Sequence, residues 1–213
     1  MNKIVSHLTK GYPNIEMHNG AYYYSKELVE NIIPYVKTKR PWVTIRVFYK
    51  CFDDAIVFIH NNLNPDRYIW MTNFKNLVLV VSQPETAQRL YQWFPQARFI
   101  YLPLSIDIKY VKQFRTKKTK EVAFVGRLSK CTKEIMQNDK IDKLCDLPRE
   151  ELLKEMAKYK KVYAVGRCAL EAKVLGCEVL QYDPRYPKDI WDVYDNKEVI
   201  PILQKRLNQI DHL

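Results

Sequence analysis

No apolar run in this chain approaches the roughly 18–20 residues that a bilayer-spanning helix needs. The segment Met1-Asn2-Lys3-Ile4-Val5-Ser6-His7 also lacks the long apolar core of a secretory signal. A cytoplasmic protein with no transmembrane segment is therefore expected. Cysteine is sparse. Cys51, Cys131, Cys145, Cys168 and Cys177 make an odd set of five with no Cys-x-x-Cys pair, which argues against a disulfide framework or a zinc site. The four histidines, His7, His18, His60 and His212, never stand at metal-ligand spacing, so no metal is expected. Internal repeats and low-complexity tracts are missing too.

Acidic residues are outnumbered, 24 against 35 Lys and Arg, for a net charge of +11. Such an excess favours an anionic partner without identifying it; a nucleotide sugar, an anionic lipid or polymer, and nucleic acid all fit. The charge is concentrated at Lys109, Lys112, Arg115, Lys117, Lys118 and Lys120, a stretch without apolar periodicity after Phe114. It is the expected linker between two domains, 1–108 and 121–213. The 213 residues, 47% hydrophobic and 28% charged, suffice for two small domains or one fused α/β domain.

Periodicity predicts alternating strands and helices. Residues 3–8, 43–48, 55–59, 77–81 and 98–102 read as strands, Ala55–Ile59 being apolar throughout as in a parallel sheet covered on both faces. Residues 22–37 carry a helical stripe of Leu28, Ile32 and Val36, which Pro34 should kink or stop. The stretch from Gly11 to Gly20 reads as a loop. Ser82 and Glu85 suggest a capping box for a helix with Ala87, Leu90, Tyr91 and Phe94 on its apolar face. Beyond the linker, strands are predicted at 121–125, 162–165 and 177–182, polar helical material over about 130–160, and a helix over 198–207. The class is α/β with parallel sheets.

Two glycine turns carry the chemistry. Gly166-Arg167-Cys168-Ala169-Leu170-Glu171-Ala172 follows the apolar Val162-Tyr163-Ala164-Val165 and precedes Leu175-Gly176-Cys177. It reads as strand, turn and helix start, with a carboxylate on the helix. A helix N-terminus offers unpaired N–H groups and a partial positive charge to a phosphate, and a fixed glutamate can accept from a ribose diol. The alternative is a helix whose Glu171 only caps it or faces solvent. The second turn, Gly126-Arg127-Leu128-Ser129-Lys130 with Lys133 beyond, follows Val122-Ala123-Phe124-Val125. A guanidinium and nearby ammonium groups suit a diphosphate; the alternative is a solvated basic turn. Tyr101-Leu102-Pro103-Leu104-Ser105-Ile106-Asp107 stands before the basic stretch.

In this order the three segments, spanning roughly residues 77–182, resemble the GT-B group of nucleotide-sugar glycosyltransferases, in particular glycosyltransferase group 1 (family 4-like) members. The resemblance implies two short Rossmann-like domains facing a cleft and a nucleotide-diphosphate sugar as donor substrate, with no other cofactor. It also implies donor contacts from Gly126, Arg127, Lys130, Lys133, Gly166, Arg167 and Glu171, with Arg127 neutralising the departing diphosphate. Many retaining members carry two glutamates eight positions apart; Glu171 matches the second, and Tyr163 occupies the first position. His60, after the strand at 55–59, is the candidate general base; a structural loop histidine is the other reading. Tyr22, Tyr23, Tyr24 and Trp70 are expected to pack in the core rather than stack on a sugar or base. Acceptor and oligomeric state have no signal. DNA as acceptor, and a noncatalytic protein on the same scaffold, are the competing functions.

Overall fold

The structure, a computed structural model, describes residues 3–6, 20–45, 51–59, 65–183 and 192–212. The chain divides into two compact units, with Ala21–Pro103 and Asn196–Leu213 in the first and Leu104–Asp195 in the second. In the first, β1 (Lys3–Ser6) is followed by α1 (Gly20–Glu27). Pro34 has no N–H to donate, and the helix loosens before it. Leu28–Ile32 forms a π-turn closed by Ile33 N–H donating to Leu28 O, and a 3₁₀ turn over Ile33–Tyr35 ends the segment.

Strands β2 (Trp42–Ile45), β3 (Ala55–Phe58) and β4 (Val78–Val81), helix α2 (Pro84–Tyr91) and strand β5 (Arg98–Tyr101) complete a five-stranded parallel sheet. Its order follows the chain, β1 to β5, so the described strands contain no reversal of direction. Pairing of Val57 with Leu79 puts both on one face, where Tyr68, Met71, Leu90 and Phe94 cover them. Trp70 packs beside them, edge-on to Phe74. Helix α2 begins differently from the predicted capping box. Gln83 is its N-cap, without a side-chain hydrogen bond, and Pro84 supplies the preset φ of the first turn.

The second unit starts with β6 (Ser105–Ile106) and α3 (Ile108–Lys112), capped by Asp107, whose Oδ1 accepts from Tyr110 N–H at 2.8 Å. Then come β7 (Lys120–Val125), α4 (Lys133–Met136), β8 (Asp142–Leu144), α5 (Arg149–Met156), β9 (Tyr159–Tyr163), α6 (Arg167–Val174), β10 (Glu178–Leu180) and β11 (Tyr194–Asp195). The last pairs with β6 in parallel. The main sheet is parallel, in the order β10-β9-β7-β8. The expected polar helical material over about 130–160 is present as α4 and α5, with the unpredicted strand β8 between them. Only Leu144 of its three residues is buried, which suits a short edge strand.

The basic stretch 109–120 is not a linker between the units, because it lies inside the second. Arg115 Nε donates to Val174 O at 2.5 Å, and Lys118 Nζ donates to Ala157 O and Leu175 O, each at 2.9 Å. These are the last carbonyls of α5 and α6, which lack partners within their helices and carry the negative end of the dipole. Two of the six cations are thereby used as helix C-caps.

After β11 the chain re-enters the first unit as α7 (Asn196–Asp211). Asn196 and Asn31 both donate to the buried Glu27 Oε2, fixing the start of α7. Leu203 and Leu207 close with Ile33, Val43, Ile56 and Phe58 on the second face of the first sheet, leaving a cavity of about 10 Å³. Asp211 holds the buried Arg40 at 3.4 Å. Among the described residues no helix is long and apolar enough to cross a membrane.

Candidate functional site at the carboxyl edge of the second sheet

In the second sheet the chain moves from β7 outward to β8, then crosses back over β7 to β9. Side chains confirm that the two connections take opposite faces. Ala123, Val125 and Val162 pack with α5 and α6, whereas Phe124 packs with Ile135 of α4. Loops leaving the carboxyl ends of β7 and β9 therefore diverge, opening the crevice in which doubly wound sheets hold ligands. Both glycine turns stand there, since Phe124 and Tyr163 are paired near the ends of the two strands.

Gly166 has φ +60° and ψ −137°, a conformation that strains any L-residue, and serves as the N-cap of α6. No atom lies within 4 Å of the position a Cβ would take there, so backbone conformation rather than crowding favours glycine. Helix α5 starts after Pro148. Neither Pro148 nor Gly166 puts a side chain on the first N–H groups of its helix. Two helix N-termini thus meet this edge without side-chain caps.

Each of these helices begins with an arginine, which the helix dipole disfavours unless an anion compensates. Glu171 compensates both. Its Oε1 forms an ion pair with Arg149 Nη1 at 2.8 Å and accepts from Arg167 Nε at 2.8 Å, the latter one helical turn away. The Glu171 side chain is 3% exposed and each arginine 10%. A capping or solvent-facing Glu171 is therefore excluded. No donor among the described residues meets its Oε2. The Arg149 guanidinium also lies over the Tyr110 ring, 5.7 Å from its centre.

Lys130, exposed at the end of the 3₁₀ turn Leu128–Lys130, acts on the charge at Cys168. Burial pushes the Cys168 thiol up to about 12 and the Glu171 charge adds to the rise, while Arg149, Arg167 and Lys130 oppose it. Two guanidiniums thus share one carboxylate at two helix N-termini. Arg127 and Lys133 are exposed, Arg127 opening the 3₁₀ turn Leu128–Lys130 and Lys133 starting α4. Gly126, at φ +153°, lies against Phe124 and Tyr182.

Of the residues predicted from sequence, Gly126, Arg127, Lys130, Lys133, Gly166, Arg167 and Glu171 all belong to this edge or the first turn beyond it. His60 and the predicted loop residues 11–19 lie outside the described residues. Arg149 was missed by motif reading. Its signal was a cation at the first position of a helix after proline, opposed to the dipole. Comparison with protein-family models, curated proteins and solved structures gives no match.

Proposed function

We propose that the second unit binds the diphosphate of a nucleotide sugar at the carboxyl ends of β7 and β9, and that the protein transfers the sugar to an acceptor. The observation that carries this reading is the meeting of Arg149 and Arg167 on the buried Glu171 carboxylate at two helix N-termini that lack side-chain caps. Backbone N–H groups of Arg167 and Cys168 would take phosphate oxygens, and Glu171 Oε2 a ribose hydroxyl.

Transfer breaks the bond between the anomeric carbon and the β-phosphate oxygen, and the electron pair stays on the diphosphate. The acceptor atom forms the new bond to that carbon and gives up its proton to the departing diphosphate oxygen or to water. Arg127, Lys130 and Lys133 stabilise the charge that grows on the leaving oxygen, so catalysis rests on electrostatics and positioning. A noncatalytic nucleotide binder is the second reading, favoured by the aromatic Tyr163 where a carboxylate would support sugar chemistry. DNA as acceptor loses some support, because Arg115 and Lys118 are engaged by helix carbonyls.

The test is a thermal-shift and calorimetry series with ADP, GDP, UDP, CDP and their common sugar conjugates. At least one nucleoside diphosphate should raise the melting midpoint, and Lys130→Ala should weaken it by about tenfold. No stabilisation by any of them refutes the reading. Donor turnover abolished by Arg127→Ala separates transferase from binder.

A further inference from the structure

On the α4 face of the second sheet, beside the same crevice, three aromatic rings gather. Phe124 is fully buried, and Tyr163 and Tyr182 are partly exposed. Phe124 and Tyr182 meet edge to face, with ring centres 5.1 Å apart and planes at 74°. Tyr163 pairs in register with Phe124 on the neighbouring strand, and both tyrosines pack on the cluster of Phe124, Ile135 and Ile141. This group borders the Gly126 turn directly. A Cβ on Gly126 would stand 3.5 Å from Phe124 Cζ and 4.0 Å from Tyr182 Oη. The Tyr163 hydroxyl has no hydrogen-bond partner among the described residues, and it lies at the end of the strand whose turn carries Gly166.

The two faces therefore offer different chemistry to a ligand that spans the crevice. The α5–α6 face supplies cations and a carboxylate; the α4 face supplies ring surface edged by phenolic hydroxyls. A nucleotide sugar has a ring group on either side of its diphosphate. Its ribose diol calls for the carboxylate, which leaves the other ring for the tyrosines. A pyranose has C–H surfaces that lie on aromatic rings and hydroxyls that meet phenol oxygens, and tyrosine provides both in one side chain.

From this arrangement we infer that Tyr163 and Tyr182 form the subsite for the transferred sugar of the donor, an inference that rests on the nucleotide-sugar reading given above. The ring faces hold the pyranose beside the Gly126 turn, and the Tyr163 hydroxyl bonds a sugar hydroxyl. Tyr163 is then a specificity residue acting on the sugar, without a part in binding the nucleoside.

The experiment compares affinities for a bare nucleoside diphosphate and its sugar conjugate, using UDP with UDP-glucose and UDP-N-acetylglucosamine, and GDP with GDP-mannose. Tyr182→Ala should weaken the sugar conjugate by about tenfold and leave the bare diphosphate within about twofold. Tyr182→Phe, which keeps the ring, should retain most of the affinity, and Tyr163→Phe should lose affinity only for the conjugate. Equal losses for conjugate and bare diphosphate would overturn the inference, because the rings would then hold the nucleoside or merely support the fold. So would an unchanged conjugate affinity in both Tyr182→Ala and Tyr163→Phe. If the unaltered protein binds neither diphosphates nor conjugates, the nucleotide-sugar reading fails and takes this subsite with it. Diphosphate binding without discrimination by the tyrosine variants removes the subsite alone.

Discussion

Glu171→Ala is the most informative single change, because two largely buried guanidiniums share one of its oxygens. The Arg149 and Arg167 side chains are each only 10% exposed, and both meet Glu171 Oε1 at 2.8 Å. Removing the carboxylate takes a shared partner from two like charges in a region shielded from water, each at a helix N-terminus whose dipole repels it. Breaking a buried ion pair by deleting one partner costs about 3–5 kcal/mol. For a protein of this size that is a drop on the order of 10 °C in melting midpoint. Glu171→Gln keeps the shape and one acceptor, so its loss should be smaller. Replacing all three residues by Met, Leu and Met should recover much of the deficit, since apolar packing avoids the desolvation of charge. Urea unfolding followed by far-UV circular dichroism measures the series. If Glu171→Ala unfolds within about 0.5 kcal/mol of the unaltered protein, the carboxylate is not holding the arginines.

Lys118→Met should cost about 1–2 kcal/mol in urea unfolding, because its ammonium caps carbonyls at the ends of both α5 and α6; an unchanged midpoint would show the caps to be dispensable. Gly166→Ala should cost about 1–3 kcal/mol through backbone strain alone, as no atom crowds the new methyl group, and a neutral result would contradict the left-handed φ. Burial raises the thiols of Cys51 and Cys145 to about 11 and of Cys168 to about 12, above an ordinary value of 9.0. Stability from these protonated thiols is complete below pH 9, where the unfolded chain also keeps its protons, and is lost as pH rises through 9 toward 11–12. The urea midpoint should therefore fall between pH 8 and 10.5, less steeply in Cys168→Ala; a flat profile would refute it.

What could be read from the chain differed with the kind of partner each residue has. Strands β3 and β4 were legible because Ala55–Phe58 and Val78–Val81 are apolar on both faces, as a covered parallel strand must be. Strand β8 was not, because an edge strand of three residues needs only one apolar side. The π-turn before Pro34 follows from a missing donor, and periodicity does not register that. Lys118 looked like part of a linker because two of its three partners are backbone carbonyls, which have no side-chain signature, and the third is Cys177 Sγ, far along the chain. At the site, Arg167 and Glu171 announce their contact by spacing of four on one helix. Arg149 joins them from another helix, 22 residues earlier than Glu171 in the chain, and only tertiary packing brings it there.

Helix α7 belongs to the first unit yet is joined to it only through the whole of the second. During synthesis the ribosome therefore completes Leu104–Asp195 before the residues that cover Ile56 and Phe58 have emerged. The nascent protein must shelter that bare apolar surface until Leu203 and Leu207 arrive, whereas the later-made half can mature ahead of the earlier one.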